Sequence, residues 1–425
     1  MEKSGDLKPA MPDDALQALL RSVVESAFTP NWLNNKVGTN KVQLVWQRKD
    51  HLANIEIQAL GSCIQVMNRV NSDWVRGCVK EARSGDYGKL YEVVCAAMFA
   101  AGRIELFPAP RKQKAYDVTL AVPGNRLRLL LSIKHHDMTI WEQEFRAECR
   151  KLRAVAREML CRNDMSAQIA FVAQHKYLRA ENWKAMQEFI RKGEFCTNYD
   201  KNSGMVNAIA PLKFGPDGMP LSQSPLSDVL IVLSQASVND QKNFLEKFDK
   251  AGEGFMRAGI GFTPEAPRVV FMRVHPTALV RQIEGHAIRR LNSNEEIGLD
   301  GAILYQPAYL RRYDGSSIIG HHLRMVDSPR LKLSQLPFQL EVPFGEEQKG
   351  APKNAIVLAG RQHIVEDHYF FQEGDLYSDL PPLVNGKAET NLRSFAAGIL
   401  PHLVLPGGVI LDVMAYPREE ELLLV

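Results

Sequence analysis

The sequence lacks most of the features that would assign it to a specialised class. Its six cysteines (Cys63, Cys78, Cys95, Cys149, Cys161, Cys196) include no CxxC pair. That excludes a zinc ribbon and a disulfide framework, and favours a reducing compartment. No uninterrupted apolar run approaches the roughly 20 residues that a membrane-spanning helix needs. The polar segment from Met1 to Asp14 has no apolar stretch of the kind a signal peptide carries. The expectation is a soluble, cytoplasmic protein with no membrane partner. Charge of one sign is scarce too: 52 Lys and Arg stand against 49 Asp and Glu, a net charge of +3. A polyanionic partner would therefore have to be met by a local basic patch, not by the chain as a whole. There is no fixed-period repeat, no low-complexity segment, no Walker A sequence and no GxSxG elbow. Gly252-Glu253-Gly254 and Gly259-Ile260-Gly261 are not followed by the strand-to-helix turn of a phosphate loop. His363 and His368 stand five apart, off the helical zinc spacing, so a metal centre of that type is not expected.

What is present is ordinary globular material with alternating helix and strand patterns. At 425 residues with 45% hydrophobic content the chain has room for two or three cores. The expected class is α/β. A helical N-terminal region (1–83) leads into a compact unit over 84–197. Residues 198–227, rich in Gly, Pro, Asn and Ser, read as a linker or long loop. A second unit, 228–425, runs from α/β to β-rich, with a final helix near Ala388–Gly398.

The stretch 86–191 organises the rest. Tyr87–Ala101 has a broad apolar face, with Glu92 in that neighbourhood instead of on the solvated side. Two alternating runs, 116–122 and 126–135, flank Pro123-Gly124-Asn125 and predict a β-hairpin. Alternation puts Asp117 and Thr119 on one face of the first strand, and Ser132, Lys134 and His136 on one face of the second. A strand over Arg103–Phe107 precedes the hairpin; a helix over Ile140–Leu160 and a strand over Gln168–Ala173 follow it, so that the order from Asp86 is α-β-β-β-α-β, with a further helix over Ala180–Arg191. Basic residues flank the hairpin: Arg111, Lys112 and Lys114 before it, and Arg146, Arg150, Lys151, Arg153 and Arg157 along the next helix. Such residues suit phosphate-backbone contacts of low sequence selectivity.

This arrangement resembles the PD-(D/E)XK, or restriction-endonuclease-like, nuclease superfamily. That family places an acid on the first helix, an Asp on the second strand and an acid-x-Lys on the third. The resemblance implies Glu92 and Asp117 as ligands of Mg²⁺ (or Mn²⁺). It implies Lys134 as the group that positions or activates the attacking water. Apart from the resemblance, His136 shares the strand face of Ser132 and Lys134 and suits a phosphate contact or proton carrier. Ser132 stands where the second strand acid is expected, and can help only through its hydroxyl or a bound water. Glu142 and Glu144, on the helix that follows, could supply a displaced carboxylate. The implied function is metal-dependent phosphodiester hydrolysis in DNA, in preference to RNA, in restriction or defence. The implied assembly is a homo-oligomer or a complex with a separate regulatory protein. The alternative is a catalytically degenerate scaffold that binds nucleic acid or protein, which Ser132 favours.

Overall fold

The computed structural model describes residues 13–425 except 36, 49–50, 103, 110–114, 122–123, 125, 164–166, 174, 194–196, 201–204, 212–228, 294, 312–316, 337–339, 348–354, 359–360, 365–367, 374–392, 396–397, 401, 406–408, 413–423 and 425. The described residues begin with four helices, α1 (Asp13–Phe28), α2 (Pro30–Leu33), α3 (Lys41–Gln47) and α4 (His51–Arg83). The sequence predicts a helix start at Ser72-Asp73, and α4 is two helices joined across a kink next to it, at Asn71 (φ −159°, ψ 91°). The Asn71 side chain itself accepts the Trp74 amide at 3.0 Å and restarts the helix.

Next come α5 (Gly88–Ala101), β1 (Glu105–Pro108), β2 (Val118–Ala121) and β3 (Arg128–His136). The expected hairpin forms, with β2 and β3 antiparallel from Val118↔Leu131 to Ala121↔Arg128. Gly124 takes a positive φ of 73° in its turn, a conformation glycine adopts without cost.

The chain then leaves this sheet. α6 (Ile140–Arg162), β4 (Ala167–Ala173), α7 (Ala180–Lys192), β5 (Thr197–Asp200), β6 (Met205–Pro211) and β7 (Val229–Gln235) build a second one. It returns through α8 (Val238–Arg257), β8 (Arg268–Val274), α9 (Val280–Leu291), β9 (Gly301–Arg311), β10 (Ser317–Val326) and β11 (Glu346–Glu347). After β12 (Ala355–Leu358) and β13 (Arg361–Ile364), β14 (His368–Glu373) goes back to the second sheet.

The molecule is therefore mixed α/β, built on two interleaved sheets. The first has the order β1-β2-β3-β8-β9-β10-β11, the second β14-β7-β4-β6-β5. This corrects two expectations. The parallel neighbour of β3 is β8, paired from Leu130↔Arg268 to His136↔Val274, and not β4, which pairs in parallel with β7. The segment 198–227 is not a plain linker either, since its described part supplies strands of the second sheet, while 212–228 lies outside the described residues. The boundaries at 84–197 and 228–425 thus cut through both sheets. At the C-terminus the described residues near 388–398 are strand, with 393–395 paired to 398–400, and not helix.

Packing follows from which face each strand residue takes. Leu129, Leu131 and Ile133 of β3 join Val269 and Phe271 of β8 under α4 and α5. Val270, Met272 and Val274 face the other way, toward α8 and α9. Helices cover both faces, so β8 is buried along its whole length, and its apolar run does not alternate. α6 and α7 form a separate core with β4 and β7. Among the described residues, no helix is long and apolar enough to cross a membrane.

Candidate active site

Three elements position the site. The helix α5 is buried on nearly every side from Leu90 to Phe99. Glu92 sits within that buried stretch, 8% exposed, and one turn earlier Lys89 reaches back so that its Nζ lies 2.5 Å from Glu92 Oε1. Asp117 lies immediately before β2 and is pinned to the hairpin from several sides. Its amide donates to Leu131 O at 2.9 Å, and its carbonyl accepts from the Ala109 amide at 2.8 Å. Its carboxylate Oδ2 accepts from the Ile133 amide at 2.6 Å. That last bond holds the carboxylate beside Lys134, whose Nζ is 3.7 Å from Asp117 Oδ2 and donates to Ile133 O at 3.2 Å.

The electrostatics join the two halves. Burial, and then the charge of Asp117, push the Glu92 carboxyl up to about 7, against the opposing pull of Lys89 and Lys134. Burial works against the Lys89 ammonium, but its bond to Glu92 and the charges of Glu92 and Asp117 outweigh that and hold its pKa above the ordinary value. Cys78 borders the cluster; burial, helped by Glu92, pushes its thiol up, so it stays protonated and is no nucleophile. Of the three residues expected together from the sequence, Lys134 pairs with Asp117, and the charges of both act on Glu92. Lys89 belongs with them and was not anticipated. Its signal was available, since i and i+3 on a helix share a face.

The other expected residues fare differently. Ser132 is 1% exposed, a hydroxyl packed inside the sheet. His136 is 4% exposed, and its ring meets Phe244 of α8 edge-on at 5.8 Å. Burial, reinforced by the charge of Lys247, lowers it to about 4 and keeps the imidazole neutral. Glu142 does not replace the missing acid: it is buried, and pairs with Arg146 at 3.1 Å. Arg146, only 4% exposed, is therefore not the surface phosphate contact the sequence suggests, and Arg153 is buried as well. Arg150, Lys151 and Arg157 remain on the exposed side of α6. Arg111, Lys112 and Lys114 lie outside the described residues.

Among the described residues, no group of three or more His, Cys, Asp or Glu side chains is placed to hold a metal ion. Glu142 therefore does not complete a cage with Glu92 and Asp117. Two carboxylates are nevertheless a donor set that a Mg²⁺-like ion accepts, because such ions are commonly held by one or two carboxylates, with water and substrate phosphate filling the rest. The pair here is already neutralised, each carboxylate by its own lysine. Comparison with protein-family models, with curated proteins and with solved structures finds no match to this chain.

Proposed function

We propose that the protein is a metal-dependent nuclease of the PD-(D/E)XK type, cleaving phosphodiester bonds in DNA in preference to RNA. The single observation that carries this reading is the pair of Asp117 and Lys134, 3.7 Å apart on the two arms of the hairpin, with the charge of Asp117 acting on the buried Glu92 of the neighbouring helix. The order of elements supports it in an altered form: α5, β1, β2 and β3 are completed by α8 and β8, with the second sheet inserted between. The ion, when bound, supplies charge stabilisation for the phosphoryl oxygens and acidifies a water. Asp117, fixed by the Ile133 amide, offers the rigid ligand, and Glu92 the second one once it has lost its proton. Lys134 lies beside Asp117 where it can orient the attacking water and offset charge on the phosphate. Arg150, Lys151 and Arg157 offer the salt-dependent contacts to the backbone.

A second reading, a nucleic-acid-binding scaffold without catalysis, draws on Ser132 in place of the second strand acid. The two are separated by incubating the protein with supercoiled plasmid and with RNA in Mg²⁺, Mn²⁺ or a chelator. The nuclease reading predicts nicking or linearisation of the plasmid that the chelator abolishes. Retarded but intact nucleic acid under every condition would leave the scaffold.

A further inference from the structure

With His136 buried, the accessible histidine at the end of β3 is its neighbour, His135. Strand alternation turns His135 to the opposite face from Lys134, toward α5, the helix that carries Glu92. Its side chain is 38% exposed, and its ring is held on several sides. Nε2 faces Asp137 Oδ2 at 3.3 Å. Tyr91 of α5 meets the ring at 5.4 Å between centroids, with the planes inclined by 58°. Tyr91 is itself seated under the guanidinium of the buried Arg273, 3.9 Å over its ring. The Cε1–Nδ1 edge of His135 leans on Gly88, where an added Cβ would come within 3.1 Å of Cε1 and 3.4 Å of Nδ1. The neighbouring Asp86 carboxylate is engaged by the Gly88 amide at 3.1 Å.

Helix geometry fixes where this ring stands. Gly88 and Glu92 are i and i+4 in α5, so they share one side of the helix, roughly 5–6 Å apart. Nδ1, resting on Gly88, is therefore one helical turn from the point where Glu92 leaves α5. The dyad fixes the chemistry. A carboxylate at one ring nitrogen draws the proton there and leaves the other nitrogen a lone pair, the arrangement of a hydrolase histidine held by an aspartate. Burial opposes the charge of Asp137, but the bond from His135 and the charges of His135, Arg273 and Lys41 outweigh it and keep the carboxyl ionised. With the proton on Nε2, Nδ1 is a base on the α5 side of the strand.

We propose that His135, its tautomer set by Asp137, is the general base of the hydrolysis, an inference that rests on the nuclease reading. The step balances. A water oxygen forms its bond to phosphorus while Nδ1 takes that water's proton. The P–O bond to the leaving sugar oxygen breaks with its electron pair, and that oxygen collects a proton from solvent. The imidazolium then returns its own proton to solvent. One test is independent of cleavage. In ¹⁵N-histidine spectra of the full chain, neutral His135 should carry its proton on Nε2 with Nδ1 bare, and Asp137→Ala should mix the two tautomers. A proton fixed on Nδ1 would overturn the proposal whether or not the protein cleaves DNA. The second test is single-turnover cleavage in Mg²⁺ or Mn²⁺ at equal folded fraction. His135→Ala should lose about a hundredfold or more, and added imidazole should restore part of the rate, which a merely structural role would not permit. His135→Ala that cleaves at the wild-type rate would overturn the base and leave the nuclease reading standing. Wild type that cleaves nothing in either metal would remove both.

Discussion

A carboxyl group on the apolar side of a helix costs stability whenever it is charged, and Glu92 is such a group. Its pKa is near the ordinary 4.5 when unfolded but is raised to about 7 in the fold, by burial first and by Asp117 second. Between these values the folded state binds the extra proton, so stability falls as pH rises through that window and is level above it. The difference is on the order of 3 kcal/mol. His136 acts with the opposite sign: burial lowers it from 6.5 to about 4, so its contribution improves as pH rises through that range. The two slopes offset each other in the wild type, which is why a variant isolates Glu92. Glu92→Gln should gain thermal stability relative to wild type as pH goes from 5 to 7.5; a difference that does not change with pH would remove the burial argument. Much of this residue-level picture was legible in the sequence, because strand alternation alone puts Lys134 on a defined face and Asp117 beside it. The roles of Arg146 and Glu142 were not, since helical periodicity ranks faces by polarity and says nothing of a buried ion pair that satisfies itself.

At the scale of elements, the hairpin and β8 were readable because their signals are local: a Pro-Gly-Asn turn between alternating runs, and an apolar run bounded by breakers. The kink in α4 turned on one side chain, Asn71, that competes for the Trp74 amide. Close contacts between elements leave a different trace. Gly252 in α8 packs so near the 297–298 segment that an added Cβ would lie 1.7 Å from Ile297 O, which is backbone and cannot rotate away. Gly252→Ala should therefore destabilise the protein by about 1–3 kcal/mol, the usual range for overpacking, in chemical or thermal denaturation. A neutral or stabilising effect, as expected of an exposed helical glycine, would show that α8 does not seat there.

Over the whole molecule, the sheets are interleaved: the chain builds three strands of the first, most of the second, returns to finish the first, and gives β14 back to the second. Nothing in the periodicity of β3, β4 or β8 says which parallel strand lies beside which, since all three are buried apolar runs and the pairing spans more than a hundred residues. The sequence-level unit 84–197 took the nearer strand. A fragment 84–197 should thus lack a cooperative unfolding transition, because β3 would lose β8 and β4 would lose both β6 and β7. A sharp transition in circular dichroism, or a dispersed amide spectrum, would restore the compact-unit reading. The same interleaving brings the start of α6 and the start of α8 to one place, where Thr139 donates to Asp240.

The proposed nuclease activity requires Glu92, Asp117 and Lys134 to act as one site. The most direct measurement is the single-turnover rate of DNA cleavage in Mg²⁺ or Mn²⁺ for wild type, Asp117→Asn and Lys134→Ala, compared at equal folded fraction. A fall of about a hundredfold or more in both variants is predicted, in line with the loss of a positioned acid–base or ligand group. Cleavage that proceeds at the wild-type rate in both would contradict it.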